Sequence, residues 1–491
     1  MTQAKCCASM AAVLAAYTVL ACGPVRAQEA AGAANFVDLR DFSISPKVGI
    51  QESYTDNAFL TSANTKDDLV TRLNLTTDIV VDTGRTKASI DTAFSYDIYA
   101  QNGSLSGWSL YGNGNGTYTV IPGFLTLEGE GSVTNGSVST FGTSAIDRAG
   151  TIGRVQLATY DFGPRITTTL DDFADINLLG RFAQVLYNAE DTSGVAALLP
   201  VDSSIFEFTG TAGTADRFTG VELTTATNYE RDDHQFQMYN AMQSVFIRVM
   251  PQARLIVRGG YEDITQPGVV DITAPIASGG VEVSVNQLSK ITVEAGTRYN
   301  RATYDANIFL QFSDRIYATG RYYEILAPAQ IQINSTYSDF VNMSRLLPTP
   351  LVPTNFGFTG NLYNQTSLNK TAEGHLVYKW EDDLIDLDAS WNDRLFVSMG
   401  DHDRVLVGNA SYSRRIAPDL GAQIRFSYAQ TFASPIYGAS YSYGGEINAS
   451  YDLNSVMTAR VGYALEKQTQ TSPIHDSLSE NVVFAAVERR F

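Results

Sequence analysis

The chain ends in Val482-Val483-Phe484-Ala485-Ala486-Val487-Glu488-Arg489-Arg490-Phe491, the stretch that decides its fold. Apolar residues stand at every second place, at Val483, Ala485 and Val487, and a lone aromatic, Phe491, closes the chain. A period of two is typical of a β-strand, because successive side chains point to opposite faces, whereas a helix repeats every 3.6 residues or so. The stretch therefore predicts a strand that turns one face to the lipid of a membrane.

The other end of the chain has the pattern of a secretory signal peptide. Lys5 precedes the apolar stretch from Met10 to Ala21, and Val25-Arg26-Ala27 offers a small-residue cleavage site before Gln28. The apolar stretch is shorter than the roughly 18 residues that a membrane-spanning helix needs. We expect residues 1–27 to be removed after export.

An exported chain that ends on an aromatic-terminated strand resembles a bacterial outer-membrane β-barrel. In such proteins the assembly machinery recognises the last strand. Under this interpretation Phe491 is the assembly signal. Residues 28–41 form a short periplasmic segment, and residues 42–491 form an all-β, antiparallel, up-and-down transmembrane barrel. An even number of strands would leave both termini in the periplasm.

Composition excludes several other classes of protein. The three cysteines, Cys6, Cys7 and Cys22, all lie in the leader, so the mature chain has no disulfide and no thiolate ligand. The leader carries two cations and no acid, so the mature charge is 32 minus 52, or −20. This acidity argues against binding to nucleic acid, which depends on cationic contacts to phosphate. We expect no cofactor and no metal.

Alternating segments of about ten residues recur along the chain. In the segment from Arg254 to Glu262, one face would carry Leu255, Val257 and Tyr261, and the other Arg254, Arg258 and Glu262. The first face suits lipid and the second a wet lumen. The same alternation recurs at 385–392 and 457–463. A soluble propeller or solenoid also alternates, but it repeats a block of fixed length, and this sequence shows no such block.

Tight turns alternate with longer polar connections, as periplasmic turns alternate with external loops in outer-membrane barrels. Counting hairpins gives about 22 strands, within a range of 18 to 22. The predicted short turns lie at 82–85, 122–123, 250–251, 286–287, 313–314, 381–383, 417–419 and 453–455. The predicted long connections lie at 134–150, 188–203, 265–275, 327–368, 433–439 and 468–476.

Strand parity places charges of both signs on the lumen face, because a charge facing lipid at mid-depth costs about 2–4 kcal/mol. These charges either line a selective pore or pair across strands and hold the wall together. The candidate selectivity residues are Arg258, Glu294, Arg298, Arg321, Lys379, Asp386, Asp388, Arg394, Arg425 and Arg460, with Glu262, Glu373, Glu466 and His375 on the same face.

The connection from Ala327 to Leu368 is the longest and contains four prolines. Its length and composition suit a loop that folds into the lumen as a constriction, or an external cap. We favour the inward fold. Deleting residues 335–360 should then raise the single-channel conductance.

The first predicted strand and the residues after it carry a family resemblance. Tyr54-Thr55-Asp56-Asn57-Ala58-Phe59-Leu60 matches a Tyr-x-Asp-Asn motif followed by an apolar pair. This motif resembles the opening of the β-barrel porin family and of related outer-membrane proteins found with exosortase (PEP-CTERM) and exopolysaccharide systems. The resemblance continues weakly to the tail, where Arg489 departs from the usual apolar residue. It implies an outer-membrane barrel and, by association, a role in polysaccharide export.

Motifs that suggest catalysis have simpler interpretations. Val80-Val81-Asp82-Thr83-Gly84 has the form of an aspartic-protease motif, but it occurs once, and Asp-x-Gly suits a hairpin turn. The glycines of Gly112-Asn113-Gly114-Asn115-Gly116 precede a strand and not the helix that a phosphate site needs. Three of the four histidines, His234, His402 and His475, lie beside aspartate in expected external loops, where they could serve a hydrolase at the rim.

The sequence therefore predicts a porin-like channel that passes hydrophilic solutes, as an accessory of exopolysaccharide secretion. The expected partners are outer-membrane lipid, the barrel-assembly machinery, and a polysaccharide or its secretion apparatus. One alternative is a structural or docking barrel that does not conduct. Another is a rim hydrolase that uses a loop His–Asp pair, although no enzymatic step is needed for the favoured function.

Overall fold

A computed structural model of the chain describes residues 38–39, 41–137, 154–171, 173–189, 201–214, 217–335, 364–434, 438–470 and 476–491. The predicted signal peptide lies outside these ranges, as does most of the predicted periplasmic segment. The loop histidine His475 also lies outside them. The described residues are almost all in β-strands, with a 3₁₀ turn at Gly103–Leu105 and a short helix at 329–335.

The strands follow one another with few other elements between them. They are β1 Asp38–Leu39, β2 Phe42–Thr55, β3 Asp68–Asp82, β4 Thr86–Tyr99, β5 Gly107–Ile121, β6 Leu125–Ser137, β7 Arg154–Leu170, β8 Ala174–Ala189, β9 Ser203–Gly213, β10 Val221–Asp232, β11 Gln237–Met250, β12 Ala253–Gln266, β13 Val270–Ser284, β14 Lys290–Arg298, β15 Arg301–Ser313, β16 Ile316–Pro328, β17 Thr366–Trp380, β18 Asp383–Phe396, β19 His402–Ala417, β20 Leu420–Ala433, β21 Ser440–Asn454, β22 Met457–Gln470 and β23 Asp476–Arg490.

The sheet closes on itself as an antiparallel barrel. From β2 onward each strand pairs with the next one along the chain. The last strand, β23, pairs with β2 from Lys47 opposite Arg490 to Thr55 opposite Val482. The strands β2 to β23 make 22, which confirms the predicted architecture and strand number. Closure removes the unpaired edges that would otherwise expose backbone N–H and C=O groups to lipid.

The outer face of this barrel is apolar and the inner face is polar. On β12, Leu255, Val257 and Tyr261 are between 41% and 53% exposed on the outside. The alternate residues Arg254 and Arg258 point inward, where they form ion pairs. A closed sheet with an apolar exterior and a charged interior defines a transmembrane β-barrel.

The two ends of the barrel differ. At the turn end, where β2 begins and β23 ends, short turns join the strands, and all eight predicted turns are found there. Two more strand connections at this end, after β7 and after β9, were not predicted from the sequence. At the opposite end, the loop end, the predicted long connection at 265–275 is wrong, because only 267–269 separate β12 from β13.

A second tight hairpin at the loop end joins β14 to β15 through Tyr299 and Asn300. Both residues have φ of +57°, as a two-residue turn that follows the right-handed twist of its strands requires. Tyr299 is only 5% exposed. It is therefore buried, whereas Tyr54, Tyr261 and Tyr463 lie exposed on the outer face.

The Tyr-x-Asp-Asn motif fastens the seam between the first and last barrel strands. The Asp56 carboxylate accepts hydrogen bonds from the backbone N–H of Asn481 at 2.8 Å and from its side-chain Nδ2 at 2.7 Å. The fully buried Asn57 donates to the carbonyls of Ser479 at 3.0 Å and Thr61 at 2.8 Å. The motif that carries the family resemblance therefore has a structural role at the loop end of the seam.

Replacing Asn57 with alanine is expected to weaken this seam. The Asn57 amide takes part in three hydrogen bonds, since its Oδ1 also accepts from the Thr61 N–H at 3.0 Å. Their loss should lower the free energy of unfolding by about 2–3 kcal/mol. The measurement is urea unfolding of the folded protein in detergent micelles. Ser62→Ala in the same loop is the control, and an equal effect of both variants would contradict this role.

The terminal aromatic lies just beyond β23. The Phe491 N–H donates to the carbonyl of Pro46 at 3.0 Å, and the ring is 38% exposed. The guanidinium of Arg489 lies 4.9 Å from the centre of this ring. Arg489, which departs from the family pattern, therefore stacks on the Phe491 ring. Phe491 keeps its backbone hydrogen bond to Pro46 in the seam.

Candidate functional site: the lumen of the barrel

Most of the predicted lumen residues are neutralised by partners on other strands. Arg258 on β12 pairs with Glu294 on β14 at 2.6 Å, and Arg298 pairs in the reverse direction with Glu262 at 3.0 Å. Both pairs reach across β13, which lies between them. A glycine at position 280 on β13 avoids a steric clash with Glu294, because a Cβ there would lie 2.5 Å from the Glu294 Cγ. These pairs hold the wall together.

The same arrangement recurs on the opposite wall. Arg425 lies 3.5 Å from Glu446, and Asp386 lies 2.9 Å from the His375 ring. Asp388 accepts a hydrogen bond from Asn409 at 2.7 Å. Arg394 and Asp403 form a fully buried ion pair, and Arg321 stacks on the Tyr323 ring at 4.4 Å.

Two of the ten candidates differ from the others. In the part of the chain that the structure describes, the side chains of Lys379 on β17 and Arg460 on β22 form neither an ion pair nor a hydrogen bond. The Nε of Arg460 is buried without a hydrogen-bond partner, and its guanidinium lies 5.5 Å from the centre of the Phe484 ring. Their positive charges therefore remain available to solutes in the lumen.

Lys379 and Arg460 lie in a common cavity at the turn end of the barrel. The cavity has a volume of about 590 Å³ and is bordered by strands β17 to β23. Gln423, Asn448 and Ser450 contribute amides and a hydroxyl to its wall. The turns that rim the cavity add carboxylates, among them Asp382 and Asp452. A wall of this composition can hydrogen-bond to water and to polar solutes.

At the loop end, the longest connection begins by folding inward. Residues 329–335 form a short helix after β16, and Ile331 and Ile333 are 1% and 4% exposed. They pack in an apolar cluster with inner-face residues of other strands, among them Ala183, Val185, Ile205 and Ile264. The inward fold predicted for this connection is thus found at its start, while residues 336–363 lie outside the described ranges.

Polar side chains of the helix anchor it at both sides. Gln330 donates to the carbonyl of Val201, before β9, at 3.3 Å and to Asn364 Oδ1, before β17, at 3.1 Å. Gln332 donates to the backbone carbonyls of Ala327 at 2.7 Å and Ser367 at 3.1 Å. The helix therefore bridges walls of the lumen that lie several strands apart. A second cluster, formed by Ala58, Val70, Tyr99 and Leu105, covers the inner face beside the seam.

The rings of His234 and His402 each lie beside an aspartate. His234 Nδ1 lies 2.9 Å from Asp233, and His402 Nδ1 lies 2.7 Å from Asp393, which Arg404 also approaches at 3.5 Å. Within the described ranges, no serine hydroxyl forms a hydrogen bond with either ring. The pairs thus have a base and an acid but no positioned nucleophile of the kind that hydrolases use. No group of three or more potential metal ligands is found among the described residues.

A row of carboxylates on the inner wall of β6 to β10 was not predicted from the sequence. The row consists of Glu128, Glu130, Asp161, Glu207 and Glu230, and we call it the acidic row. Register brings its members together, with Glu130 directly opposite Asp161 and Glu207 directly opposite Glu230. The spacing of Glu128 and Glu130 already placed two carboxylates on one strand face. The other contacts depend on strand pairing.

The fold and its lumen thus define a membrane-spanning β-barrel of the outer-membrane type. No helix among the described residues combines the length and hydropathy needed to span a membrane. The sequence matches no family model and no curated protein.

Solved structures with a similar fold include receptors. The siderophore receptor PirA from Acinetobacter baumannii is 10% identical, with a TM-score of 0.48 over 91% of this chain and 80% of that chain. PirA from Pseudomonas aeruginosa is 9% identical, with a TM-score of 0.41 over 91% and 80%. OccAB3 from Acinetobacter baumannii is 8% identical, with a TM-score of 0.35 over 91% and 99%. At identities this low, the likeness concerns the barrel architecture and not a cargo.

Proposed function

We propose that the protein is an outer-membrane channel that passes small hydrophilic solutes. The observation that carries the proposal is the cavity with a polar wall at the turn end, which lies inside a closed barrel with an apolar exterior. Such a wall lets water and polar solutes enter a pore that lipid cannot reach. The helix at 329–335 and the cluster beside the seam narrow the pore at the loop end, which faces the cell exterior in this proposal. Transport then needs no chemical step and no cofactor.

Ion current through the purified protein tests this function. The mature chain, refolded in detergent, is inserted into a planar lipid membrane between two salt solutions. We expect discrete current steps that scale with salt concentration. The protein must first show the heat-sensitive mobility of a folded barrel on a detergent gel. A folded and inserted protein that passes no current would overturn the proposal.

We infer that Lys379 and Arg460 set the selectivity of this channel among the ten candidates. Among the described residues, neither side chain forms an ion pair or a hydrogen bond, so no group of opposite charge reduces its effect on a passing ion. Arg460→Glu is expected to shift the reversal potential in a salt gradient toward greater preference for cations. Arg85→Glu makes the same charge change in an exposed turn at the same end of the barrel. Identical reversal potentials for the two variants would contradict the assignment.

A docking barrel that does not conduct is the second candidate function. The observation in its favour is the apolar packing at the loop end, where the buried helix and two clusters fill part of the lumen. In that case partner proteins or polymers would bind at the loop end without entering the pore. The planar-membrane experiment separates the two candidates, because only the channel gives a current.

An accessory role in exopolysaccharide secretion is a narrower proposal that rests on the family resemblance alone. The residues of that resemblance, Asp56 and Asn57, form hydrogen bonds across the seam, so they account for the closure of the barrel. The hydroxyls and amides of the turn-end cavity are nonetheless groups that can hydrogen-bond to a glycan. Deleting the gene should lower the polysaccharide on the cell surface, and unchanged polysaccharide would refute this role.

A further inference from the structure

Arg460 on β22 is a cation whose neighbours in the sheet leave it unpaired. The residues directly opposite it are Ser450 on β21 and Ala486 on β23, so neither neighbouring strand sets a carboxylate against it. Among the described residues, its side chain forms no ion pair and no hydrogen bond, and its Nε is buried without a partner. The guanidinium lies 5.5 Å from the centre of the Phe484 ring, which supports one face of the group. Its N–H donors are therefore left for a ligand in the turn-end cavity that Arg460 lines.

The residues beside Arg460 add further donors to the same wall of the cavity. Ser450 is its direct neighbour, and Asn448, two residues earlier on β21, lies opposite Gln423 on β20. Asn448 donates to the Gln423 Oε1 at 3.4 Å, which leaves the Gln423 Nε2 as a donor. Within the described ranges, neither this Nε2 nor the Ser450 hydroxyl forms a hydrogen bond. Three neighbouring strands thus present a guanidinium, a hydroxyl and an amide to one space.

The carboxylates near this donor group are either engaged or set toward the rim of the cavity. Glu446, on the loop-end side, accepts a hydrogen bond from Asn448 at 2.6 Å and also lies within reach of a second arginine. Asp452 and Glu488 lie on the turn side and line the cavity. Neither forms an ion pair with Arg460. A ligand bound at Arg460 therefore meets donors at one end and carboxylate acceptors at the end that extends toward the rim.

This arrangement favours a monovalent oxyanion that carries hydroxyl groups. A carboxylate matches the planar donor fork of a guanidinium, and its remaining lone pairs can accept from a hydroxyl and an amide. The rim carboxylates repel a second negative charge, such as that of a phosphate dianion, but they accept hydrogen bonds from hydroxyl groups. The cavity volume of about 590 Å³ lies within the range of about 300–1,000 Å³ that is usual for small-molecule sites.

We propose that the turn-end cavity is a binding site for small hydroxylated carboxylic acids, whose carboxylate is bound by Arg460, Ser450 and Gln423. The hydroxyl groups of the ligand extend toward the rim, where Asp452 and Glu488 accept their hydrogen bonds. The site deepens the proposed channel function by naming a class of solute, and it rests on that function for its physiological role.

Calorimetric titration of the refolded protein in detergent, at mildly alkaline pH, tests the site with gluconate as the probe. Sorbitol has the same carbon chain and no charge, and inorganic phosphate is mostly divalent at this pH. We expect saturable heat with gluconate, none with sorbitol and weaker binding of phosphate. Arg460→Gln should weaken the affinity for gluconate about tenfold, and Ser450→Ala should weaken it severalfold. Arg85→Gln, which removes a positive charge from an exposed turn at the same end of the barrel, should leave it unchanged.

The results separate this site from the channel function. A folded protein that binds no gluconate lacks the site. Equal affinities of the Arg460→Gln and Arg85→Gln variants would also overturn it, because the attraction would then depend on overall charge. Phosphate that binds as tightly as gluconate would overturn the assignment to carboxylic acids. Should Arg460→Gln fail to form a barrel, Ser450→Ala decides, and an unchanged affinity in that variant would contradict the site.

Binding of gluconate does not require an ion current. A protein that binds gluconate and passes no ions keeps the site and loses the channel function. A protein that conducts and binds no gluconate loses only the site.

Discussion

Replacing Ile331 and Ile333 with aspartate is expected to raise the single-channel conductance severalfold. Both side chains are buried in the apolar cluster that fixes the inward helix to the lumen wall. A buried carboxylate without a partner is costly, so the helix should leave the wall and widen the narrow loop end. The measurement is the current of single channels in a planar membrane, with each variant compared at the same salt concentration and voltage.

The matched control changes the same two residues to valine. Valine removes one methylene group from each side chain and keeps the apolar packing, so the helix should stay in the lumen. Conductance close to that of the unchanged protein is expected for this control. If the aspartate variant folds into a barrel and also conducts like the unchanged protein, the helix does not constrict the pore.

An arginine on the outer face is expected to destabilise the barrel strongly, whereas an arginine one residue further along is not. Phe426 lies at the middle of β20 with 51% of its surface exposed on the lipid side. Phe426→Arg should lower the free energy of unfolding by about 2–4 kcal/mol, because a charge would face hydrocarbon at mid-depth. Urea unfolding in lipid vesicles measures the difference.

Ser427→Arg is the comparison for that variant. Ser427 points into the lumen, close to the Glu466 side chain across Gly444, so a new arginine would meet water and a carboxylate. We expect a much smaller loss of stability than for Phe426→Arg. Equal losses for the two neighbouring positions would mean that the two faces of β20 have the same environment, which the proposed membrane topology does not allow.

Much of this fold could be predicted from sequence, because the two faces of each strand meet different solvents. The alternation of Val257 with Arg258 needs only lipid on one side and water on the other. The eight short turns follow from local preferences, as at Asp82-Thr83-Gly84, where the Thr83 hydroxyl accepts from the N–H of Thr86 at 2.8 Å. Strand number and parity were therefore correct.

The contacts within the lumen could not be predicted in the same way. The ion pair of Arg258 with Glu294 skips a strand, so it depends on register and on the small residues of β13. The seam joins Asp56 to Asn481, which are distant in sequence and meet only when the barrel closes. The helix at 329–335 depends on an apolar inner surface supplied by several strands. Sequence periodicity contains no information on such pairings.

The alternation itself can be measured most directly by single cysteines along β20. Residues 28–491 contain no cysteine, so each introduced thiol is unique in the mature chain. A thiol reagent that is soluble in water and cannot enter lipid is applied to the protein in vesicles. We predict labelling at Gln423 and Ser427 in the lumen and protection at Ile424 and Phe426 on the lipid face. Equal labelling at all four positions would contradict a barrel with hydrocarbon outside and water inside.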